Sequence, residues 1–397
     1  MLIKRKEFLQ VGSLVTASFM LPKFLKAFER PMMVPPGNKV VVVIQFSGGN
    51  DGLNTVIPVR NDIYFRERPR LAIAKDKALS LTADTGLNPA LEVFKDLYDD
   101  GSLAIMNSVG YPNPDRSHFR SMDIWHSASE SNEYINTGWL GRYLDAQCRG
   151  CDKPTQAMEL DDVLSLALKG SANKGLAFKD PKKLYNTSNG RFIKDINSDH
   201  INGEETIDYL YKTMSATLSS AEYIFKQSKI HPTAQTYPNT GLGKDLKTIA
   251  SLIFSDINTK VYYVSLGSFD THVNQDNQQK RLFTELNDAV KAFTADLKSN
   301  NRFDDVLMMT FSEFGRRVSQ NASNGTDHGT ANNMFFVSGG LKEKGILNAM
   351  PDLADLNEGD LKHTVDFKNV YATVLSKWLG ADDKLILRNK FSHLDFI

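Results

Sequence analysis

Acidic residues and histidines occur as close pairs at two places in this sequence, and both residue types bind metal ions. Asp270 and His272 are two residues apart, so in an extended segment their side chains project to the same side. Asp327 and His328 are adjacent and precede a glycine that permits a close turn, so they can serve two neighbouring metals. Each residue alone is also compatible with an ordinary surface polar group. The two pairs together indicate a metal site.

Two further segments offer a ligand and a nucleophile. Asp51 lies in the glycine-rich segment 47–54 and could hold a cation, although Asn-Asp-Gly is also an ordinary turn sequence. Pro114 and Asp115 suit the start of a helix, so Ser117 would lie among the free backbone N–H groups of the first turn. Its hydroxyl can become a nucleophile once a metal lowers its pKa. A plain helix N-cap is the alternative interpretation of Ser117.

Several basic side chains close to these segments could bind a substrate. Arg120, Arg316 or Arg317 could clamp the oxygens of a phosphate or sulfate group. A structural ion pair is an equally good interpretation of Arg316 and Arg317. His118 is interpreted as a substrate-binding residue, with a helix cap as the alternative.

The polar segments follow short apolar runs that predict β-strands, and helical spacing occurs between the runs. The first run is continuously β-branched at its start, which is typical of a strand covered on both faces. The predicted strands are 40–46, 103–106, 261–266, 306–311 and 334–337, and the clearest helices are 278–298 and 367–379. This alternation predicts a mainly parallel sheet between helix layers, with ligands bound beyond the carboxyl ends of its strands.

The charge balance and the N-terminus limit the cellular role. The chain has 397 residues with 47 basic and 47 acidic side chains, so no global field favours nucleic acid or an anionic membrane. Residues 1–27 combine a basic start with a short apolar stretch and predict a cleaved signal peptide. That stretch is shorter than the roughly 20 residues of a membrane span, so no transmembrane segment is expected. A cytoplasmic protein with an amphipathic N-terminal helix is the alternative.

Two features of the middle of the chain concern the fold rather than the candidate site. Residues 150–245 are less regular and are predicted to be an insertion or cap within a domain at 38–397, with a helix at 204–228. Cys148 and Cys151 are the two cysteines of the sequence, and in an oxidising compartment they favour a small local disulfide. No catalytic role is expected for them, because no second CxxC pair or thioredoxin-like context accompanies them.

Several segments together resemble one family of exported bacterial proteins, called domain of unknown function 1501, within the alkaline phosphatase-like (sulfatase-like) superfamily. The similar segments are 46–58, 117–120, 123–125, 137–142, 269–272, 310–316, 326–330 and 366–375. The resemblance runs from about residue 38 to 380. It implies a three-layer α/β/α sandwich of the alkaline phosphatase type. At the N-terminus, Arg5-Lys6 before Phe8-Leu9 resembles a twin-arginine signal in which two arginines are usual.

The resemblance also implies two divalent cations, from among Zn, Mn, Ca and Mg, and a serine nucleophile at a helix start. The first cation, beside Ser117, would be held by Asp51, Asp327 and His328. The second would be held by Asp270 and His272, with His363 or Glu313 as a further ligand. One residue separates Asp270 from His272 where phosphatases usually have three, so the second cation site departs from the superfamily pattern.

These expectations predict an exported, periplasmic, metal-dependent hydrolase of phosphate or sulfate esters. Ser117 would attack phosphorus or sulfur in line, with cations stabilising the entering and leaving oxygens. The substrate would be a small-molecule or polymer ester, and nucleic acid is not expected as a partner. The alternative function is a non-catalytic metal-binding or assembly protein of the cell envelope that has the same fold and binds an envelope protein.

Overall fold

A computed structural model describes residues 38–147, 155–189, 220–255 and 257–397. The predicted signal peptide and both cysteines lie outside the described residues. So do residues 204–219 of the predicted helix 204–228, whereas residues 220–230 are helical. Across the described ranges, no helix is both long enough and apolar enough to cross a membrane.

The described strands vary from two to eight residues in length. They are β1 (Val40–Phe46), β2 (Val56–Ile57), β3 (Leu79–Ser80), β4 (Gly86–Leu87), β5 (Leu103–Gly110), β6 (Ala157–Glu159), β7 (Leu176–Ala177), β8 (Val261–Leu266), β9 (Val306–Phe311), β10 (Arg316–Gln320), β11 (Thr326–His328), β12 (Asn332–Val337), β13 (Gly345–Ile346), β14 (Leu356–Asn357), β15 (Asp360–Leu361) and β16 (Val365–Asp366).

The helices lie between these strands. The α-helices with fully described ends are α1 (Asp62–Glu67), α2 (Glu92–Asp99), α3 (His118–Ser127), α4 (Trp139–Gln147), α5 (Pro181–Ser188), α6 (Gly241–Phe254), α7 (Gln275–Ser299), α8 (Phe367–Thr373) and α9 (Asp383–Leu387). Short 3-10 helices occupy Gly52–Asn54, Leu166–Leu168 and Phe303–Asp305, and a π-helix occupies Val374–Trp378.

The central sheet contains nine strands in the order β13-β5-β12-β9-β1-β8-β6-β7, with β16 also paired to β5. Strand β1 is parallel to both of its neighbours, β8 and β9. Strand β12 is antiparallel to β5 and β9, and the other pairings within this sheet are parallel. The mainly parallel sheet predicted from the sequence is therefore confirmed.

Helices cover both faces of the sheet. Along β1, the side chains of Val42 and Ile44 face one hydrophobic core, while those of Val41 and Val43 face the other. Helices α2, α6 and α7 contribute to the first core, and α3, α4, α8 and α9 contribute to the second. Burying one valine stabilises the fold by roughly 1.5–3 kcal/mol, which explains an apolar run without alternation. The predicted three-layer sandwich is confirmed.

The predicted elements agree with the structure except in the middle of the chain. All five predicted runs are strands of the central sheet. The predicted helix 278–298 lies within α7, and the predicted helix 367–379 is α8 continued by the π-helix. Within the predicted insertion 150–245, however, β6 and β7 extend the central sheet beside β8. This part of the segment belongs to the sandwich rather than to a separate cap.

Candidate metal centre

The candidate centre lies at the carboxyl edge of the sheet, where neighbouring parallel strands end together. Strands β9, β1 and β8 are adjacent, and the loops that follow them bring in Glu313, residues 47–54 and Asp270. Gly48 has φ +117°, and a Cβ there would lie 2.4 Å from the backbone nitrogen of Asp270. Glycine is therefore required for the loops after β1 and β8 to approach this closely.

Three histidines direct the same ring nitrogen towards one carboxylate. The Nε2 atoms of His272 and His328 each lie 3.1 Å from Oδ1 of Asp270, and they are 3.0 Å from each other. The Nε2 atom of His118 lies 3.5 Å from Oδ2 of the same residue. His118 comes from the first turn of α3, His272 from the loop after β8, and His328 from β11. Three separate elements thus converge on Asp270.

The opposite nitrogen of His118 is fixed by a buried acid. Its Nδ1 lies 2.9 Å from Oε1 of Glu313, which is 1% exposed and also accepts a hydrogen bond from the backbone of Gly48. This hydrogen bond to Glu313 raises the pKa of His118 above its usual value. Hydrogen bonds of this kind orient metal-binding imidazoles, because they leave the other nitrogen free to face the ion.

The other two histidines are held in the same way. Nδ1 of His328 lies 2.9 Å from the carbonyl oxygen of Arg116. A carbonyl oxygen only accepts, so Nδ1 carries the hydrogen and the neutral ring has its lone pair on Nε2. Nδ1 of His272 lies 3.3 Å from Oδ1 of Asp327. All three imidazoles therefore use Nδ1 for support and present Nε2 to the centre.

The geometry and the donor atoms fit a divalent cation. Nε2 of His118 is buried and has no hydrogen-bond partner within the described ranges, which is uncommon for a buried ring nitrogen. His118, Asp270 and His328 each offer a ligand atom, all within 4.8 Å of one another. Ligand atoms about 2.0–2.1 Å from a tetrahedral ion lie about 3.3 Å apart, close to the observed spacings. Imidazole and carboxylate donors suit Zn²⁺ and neighbouring transition metals.

The carboxylates of the centre are ionised. Burial opposes the charge on Asp270, but the hydrogen bond from Arg316 and the positive charge of its guanidinium outweigh it and lower the pKa of Asp270 to about 2. A hydrogen bond from Asn321 lowers the pKa of Asp327. The side chain of Asp270 is 47% exposed, so solvent and a ligand can reach this negatively charged group. An ionised, accessible carboxylate among imidazoles is suited to a cation.

Arg316 supports the centre from beneath rather than facing a substrate. Its side chain is fully buried, and it donates to the carbonyl oxygens of Gly49 at 2.6 Å and Thr326 at 2.9 Å. One of its Nη atoms also donates to Oδ1 of Asp270 at 2.7 Å. These bonds hold three loops together, so the predicted role of Arg316 as an oxygen clamp does not agree with its position.

The remaining predicted arginines differ in access. Arg120 is buried, and one Nη donates to three backbone carbonyls of segment 130–133 at 2.6–3.1 Å, so it fixes that loop instead of facing a substrate. Arg317 keeps 37% of its side chain exposed, with Nε 3.5 Å from Oδ1 of Asp360. Arg317 alone of the three predicted arginines is both accessible and next to the centre on β10.

Asp51 lies outside the cluster, although the sequence predicts it as a ligand. It forms a bidentate ion pair with Arg68, with distances of 2.5 and 3.0 Å, and it accepts a further hydrogen bond from Gln275. Asp51 is 1% exposed and Arg68 is fully buried. The geometry therefore assigns Asp51 to the support of the glycine-rich loop, because both of its oxygens are engaged.

Ser117 and His363 occupy different positions at the edge of the centre. Ser117 is the N-cap residue of α3, is exposed, and its hydroxyl makes no capping hydrogen bond. It lies between His118 and Arg116, which both take part in the centre. His363 has no hydrogen bond or ion pair with the cluster among the described residues and instead lines a neighbouring cavity with Phe314. The structure thus separates His363 from the other predicted ligands.

Sequence reasoning missed three contributions. His118 was expected to bind substrate, and its place in the ligand cluster depends on the way α3 begins. Its position next to Ser117 was the available signal. The carbonyl of Arg116 and the side chain of Arg68 had no signal in the sequence, because their roles depend on contacts with distant residues.

The chain belongs to the family described as protein of unknown function DUF1501, whose model matches residues 104–390. This match covers more than two thirds of the chain and confirms the family that the sequence segments resemble. No curated protein matches the sequence.

Several solved structures are similar to this chain at low sequence identity. The PsFucS1 sulfatase from Pseudoalteromonas sp. is 12% identical, with 99% of this chain and 75% of that chain covered and a TM-score of 0.41. A protein in the alkaline phosphatase superfamily from Vibrio parahaemolyticus is 10% identical, with 98% and 78% covered and a TM-score of 0.38. A phosphonate monoester hydrolase from Silicibacter pomeroyi is 8% identical, with 90% and 78% covered and a TM-score of 0.36. Likeness at this level carries no conclusion about activity.

Proposed function

We propose that this member of the DUF1501 family binds a divalent cation and hydrolyses phosphate or sulfate esters. The ligands would be His118, Asp270, His272 and His328. One observation carries the proposal: each of three imidazoles has Nδ1 held by an oxygen and Nε2 directed at the same ionised carboxylate. Histidines that bind one ion typically have this arrangement, in which a hydrogen bond holds one ring nitrogen and the other nitrogen faces the ion.

A bound cation would supply Lewis acidity that stabilises negative charge on ester oxygens and lowers the pKa of a nearby hydroxyl. Ser117 is the nucleophile in this proposal. Its hydroxyl makes no capping bond and is exposed directly before the first ligand in the chain. The free N–H groups of the first turn of α3 favour an anionic group at this end of the helix.

The accessible charge of Arg317 would bind the non-reacting oxygens of the ester. Arg317 lies in β10, which pairs with β11, the strand that carries Asp327 and His328. Arg316 would keep Asp270 in place, and Glu313 would keep the ring of His118 in place. In this proposal, the buried charged side chains hold the metal ligands in place, and the exposed charged side chain contacts the substrate.

The test combines metal analysis with turnover. The purified chain would be analysed by inductively coupled plasma mass spectrometry and assayed with 4-nitrophenyl phosphate and 4-nitrophenyl sulfate, before and after chelation. We expect one cation per chain, activity that is lost with the cation and restored by it, and no activity in Ser117→Ala. Ser80→Ala, an exposed serine in the small β2-β4-β3 sheet, is the matched control and should keep full activity. Equal activity in wild type and Ser117→Ala would overturn the serine mechanism.

A second candidate function is cation binding without turnover, as in an envelope assembly protein. The observation that favours it is the absence of Asp51 and His363 from the cluster, which leaves a single compact set of ligands instead of the two expected sites. One bound cation per chain with no hydrolysis of either ester, together with co-purification of an envelope protein, would support this function. Turnover at enzyme-like rates would exclude it.

Export is part of the proposal, with residues 1–27 acting as a removed signal peptide. The supporting observation is the basic start followed by a short apolar stretch. Mass spectrometry of the chain recovered from the periplasm should show an N-terminus near residue 28, and an intact chain confined to the cytoplasm would contradict this.

A further inference from the structure

A cavity of about 280 Å³ lies next to the candidate metal centre. Phe314 is shared by both: it lines the cavity, and its ring centroid is 4.9 Å from that of His118 and 4.6 Å from that of His328. Asn113 and Pro114, in the loop that leads to Ser117, also line the cavity. Phe314, which packs against two of the candidate ligands, and the loop before Ser117 therefore form part of the cavity wall.

The cavity is close enough to the nucleophile to hold another part of the same substrate. Asn113 and Ser117 are four residues apart, so their Cα atoms are separated by at most about 14 Å. The volume is slightly below the lower end of small-molecule pockets, roughly 300–1,000 Å³, and is suited to a single ring. A ring held there and an ester at Ser117 would therefore be near enough to belong to one substrate.

Three polar side chains at the cavity have no partner in the part of the chain that the structure describes. Asn113, Asn357 and His363 line it, and none of their side chains makes a hydrogen bond or ion pair with another residue of the described ranges. Amides and a neutral imidazole both donate and accept hydrogen bonds, as hydroxyl groups do. These side chains are therefore free to recognise a hydroxyl-bearing ligand.

The charge of the lining does not favour a cationic ligand. Among the described residues that line the cavity none is acidic, and the lysine, Lys362, is paired with Asp355. Burial lowers the pKa of His363, which keeps the ring neutral at neutral pH. Phe314 and Leu361 add apolar surface on which the C–H face of a ring can pack.

We propose that this cavity binds the non-reacting part of the substrate, and that this part is an uncharged, hydroxyl-bearing ring of about monosaccharide size. This inference rests on the proposed function, because it extends the substrate from the ester to the group that carries it. His363, Asn113 and Asn357 would select the ring by hydrogen bonds, and Phe314 would separate it from the metal ligands.

A direct binding test does not depend on turnover. Neutral histidines react with diethyl pyrocarbonate, and mass spectrometry of the full chain measures modification of His363 with and without methyl glucoside as the probe. We expect the probe to slow modification of His363 several-fold and to leave His231, an exposed histidine, unchanged. In Asn113→Ala and Asn357→Ala, each lost hydrogen bond should weaken the protection by about two- to tenfold. Equal rates at His363 with and without the probe would overturn the proposal.

A kinetic comparison separates this proposal from the proposed function. The ratio of kcat/KM for glucose 6-phosphate to that for methyl phosphate should be well above one in the wild type. This ratio should fall about two- to tenfold in His363→Phe, which keeps an aromatic ring but has no ring nitrogens, and stay unchanged in His231→Phe. If no ester is hydrolysed, the proposed function is wrong. Protection of His363 from modification then still tests whether the cavity binds the ring. If both esters are hydrolysed equally and His363 is not protected, the proposal for the cavity is wrong, whereas the proposed hydrolase function is supported.

Discussion

His328 donates a hydrogen bond from Nδ1 to the carbonyl oxygen of Arg116 at 2.9 Å, and this bond determines where its other nitrogen points. Arg116 itself is held by Asp360, 2.5 Å from one of its Nη atoms, and Asp360 lies in β15, far along the chain. A ligand from β11 is therefore oriented by the residue that precedes Ser117. Arg116 therefore both orients the candidate ligand His328 and directly precedes the candidate nucleophile Ser117.

Removal of Asp270 should abolish cation binding. Asp270→Ala takes away the carboxylate that all three Nε2 atoms face. Loss of a residue that only supports a ligand lowers metal affinity by roughly 10- to 100-fold, so loss of this ligand should lower the affinity for Zn²⁺ by more than about 100-fold. Titration of the metal-free chain with Zn²⁺ in a calorimeter measures this. Asp162→Ala, an exposed aspartate, is the control and should bind as the wild type does. Unchanged affinity in Asp270→Ala would remove Asp270 from the ligand set.

Glu313 should affect the cation through His118 without contacting it. Glu313→Gln keeps the size of the side chain but weakens the hydrogen bond to Nδ1, so we expect a 10- to 100-fold loss of Zn²⁺ affinity, roughly as for other outer partners. Thermal unfolding of the metal-free variant checks that the fold is intact. Glu343→Gln, on an exposed loop, is the matched control. Should Glu313→Gln bind Zn²⁺ like wild type, Glu313 would have no part in positioning His118.

Asp51 should stabilise the fold and leave the cation content unchanged. Asp51→Asn leaves Arg68 as a buried, uncompensated charge, which should lower the free energy of unfolding by about 3–5 kcal/mol. Urea denaturation of the metal-free chain measures the loss, and the double variant with Arg68→Met should recover much of it, because both charges are then removed. A fall in cation stoichiometry in this folded double variant would show instead that Asp51 is a ligand.

Glu159 should make the fold less stable as pH rises. Burial raises the pKa of Glu159 to about 8, whereas in the unfolded chain it has the ordinary value near 4.5. Between these two values the folded state binds more protons than the unfolded state, so stability is greatest below the lower value and decreases up to the higher one. In Glu159→Gln the contribution of Glu159 to this decrease should be absent, so stability should fall less steeply with pH, whereas Glu343→Gln should follow the wild type. Urea midpoints of the metal-free chain measured from pH 4.5 to 8 test the prediction, and identical profiles for Glu159→Gln and wild type would contradict it.

The sequence predicted those parts of the structure that depend on neighbours along the chain. A strand covered on both faces needs an unbroken apolar run, so β1 and β8 were recognisable. Asp270 and His272 could be paired from the sequence because residues two apart in an extended segment project to the same side, and their side chains lie 3.1 Å apart. Asp327 and His328 are neighbours in β11, but Asp327 contacts His272 and His328 contacts Asp270. The role of strand ends followed from the parallel sheet, since ligands bind beyond the carboxyl ends of its strands.

The parts that could not be predicted depend on contacts between distant residues. The ion pair of Asp51 with Arg68 depends on how two loops meet, and nothing near Asp51 in the sequence signals it. The direction of the His118 ring depends on Glu313, which is 195 residues away in the chain. His363 faces the cavity rather than the cluster because its segment packs beside Gly110 at the end of β5. Long-range packing therefore determines which of the predicted site residues lie next to one another.

X-ray absorption spectroscopy of the chain loaded with Zn²⁺ would show directly whether the three histidines and Asp270 bind one ion. We expect one ion per chain, with three imidazole nitrogens and a carboxylate oxygen at about 2.0–2.2 Å. The scattering from imidazole rings should diminish in His118→Ala, His272→Ala and His328→Ala. An ion bound without imidazole ligands, or a chain that binds no ion, would exclude the proposed metal centre.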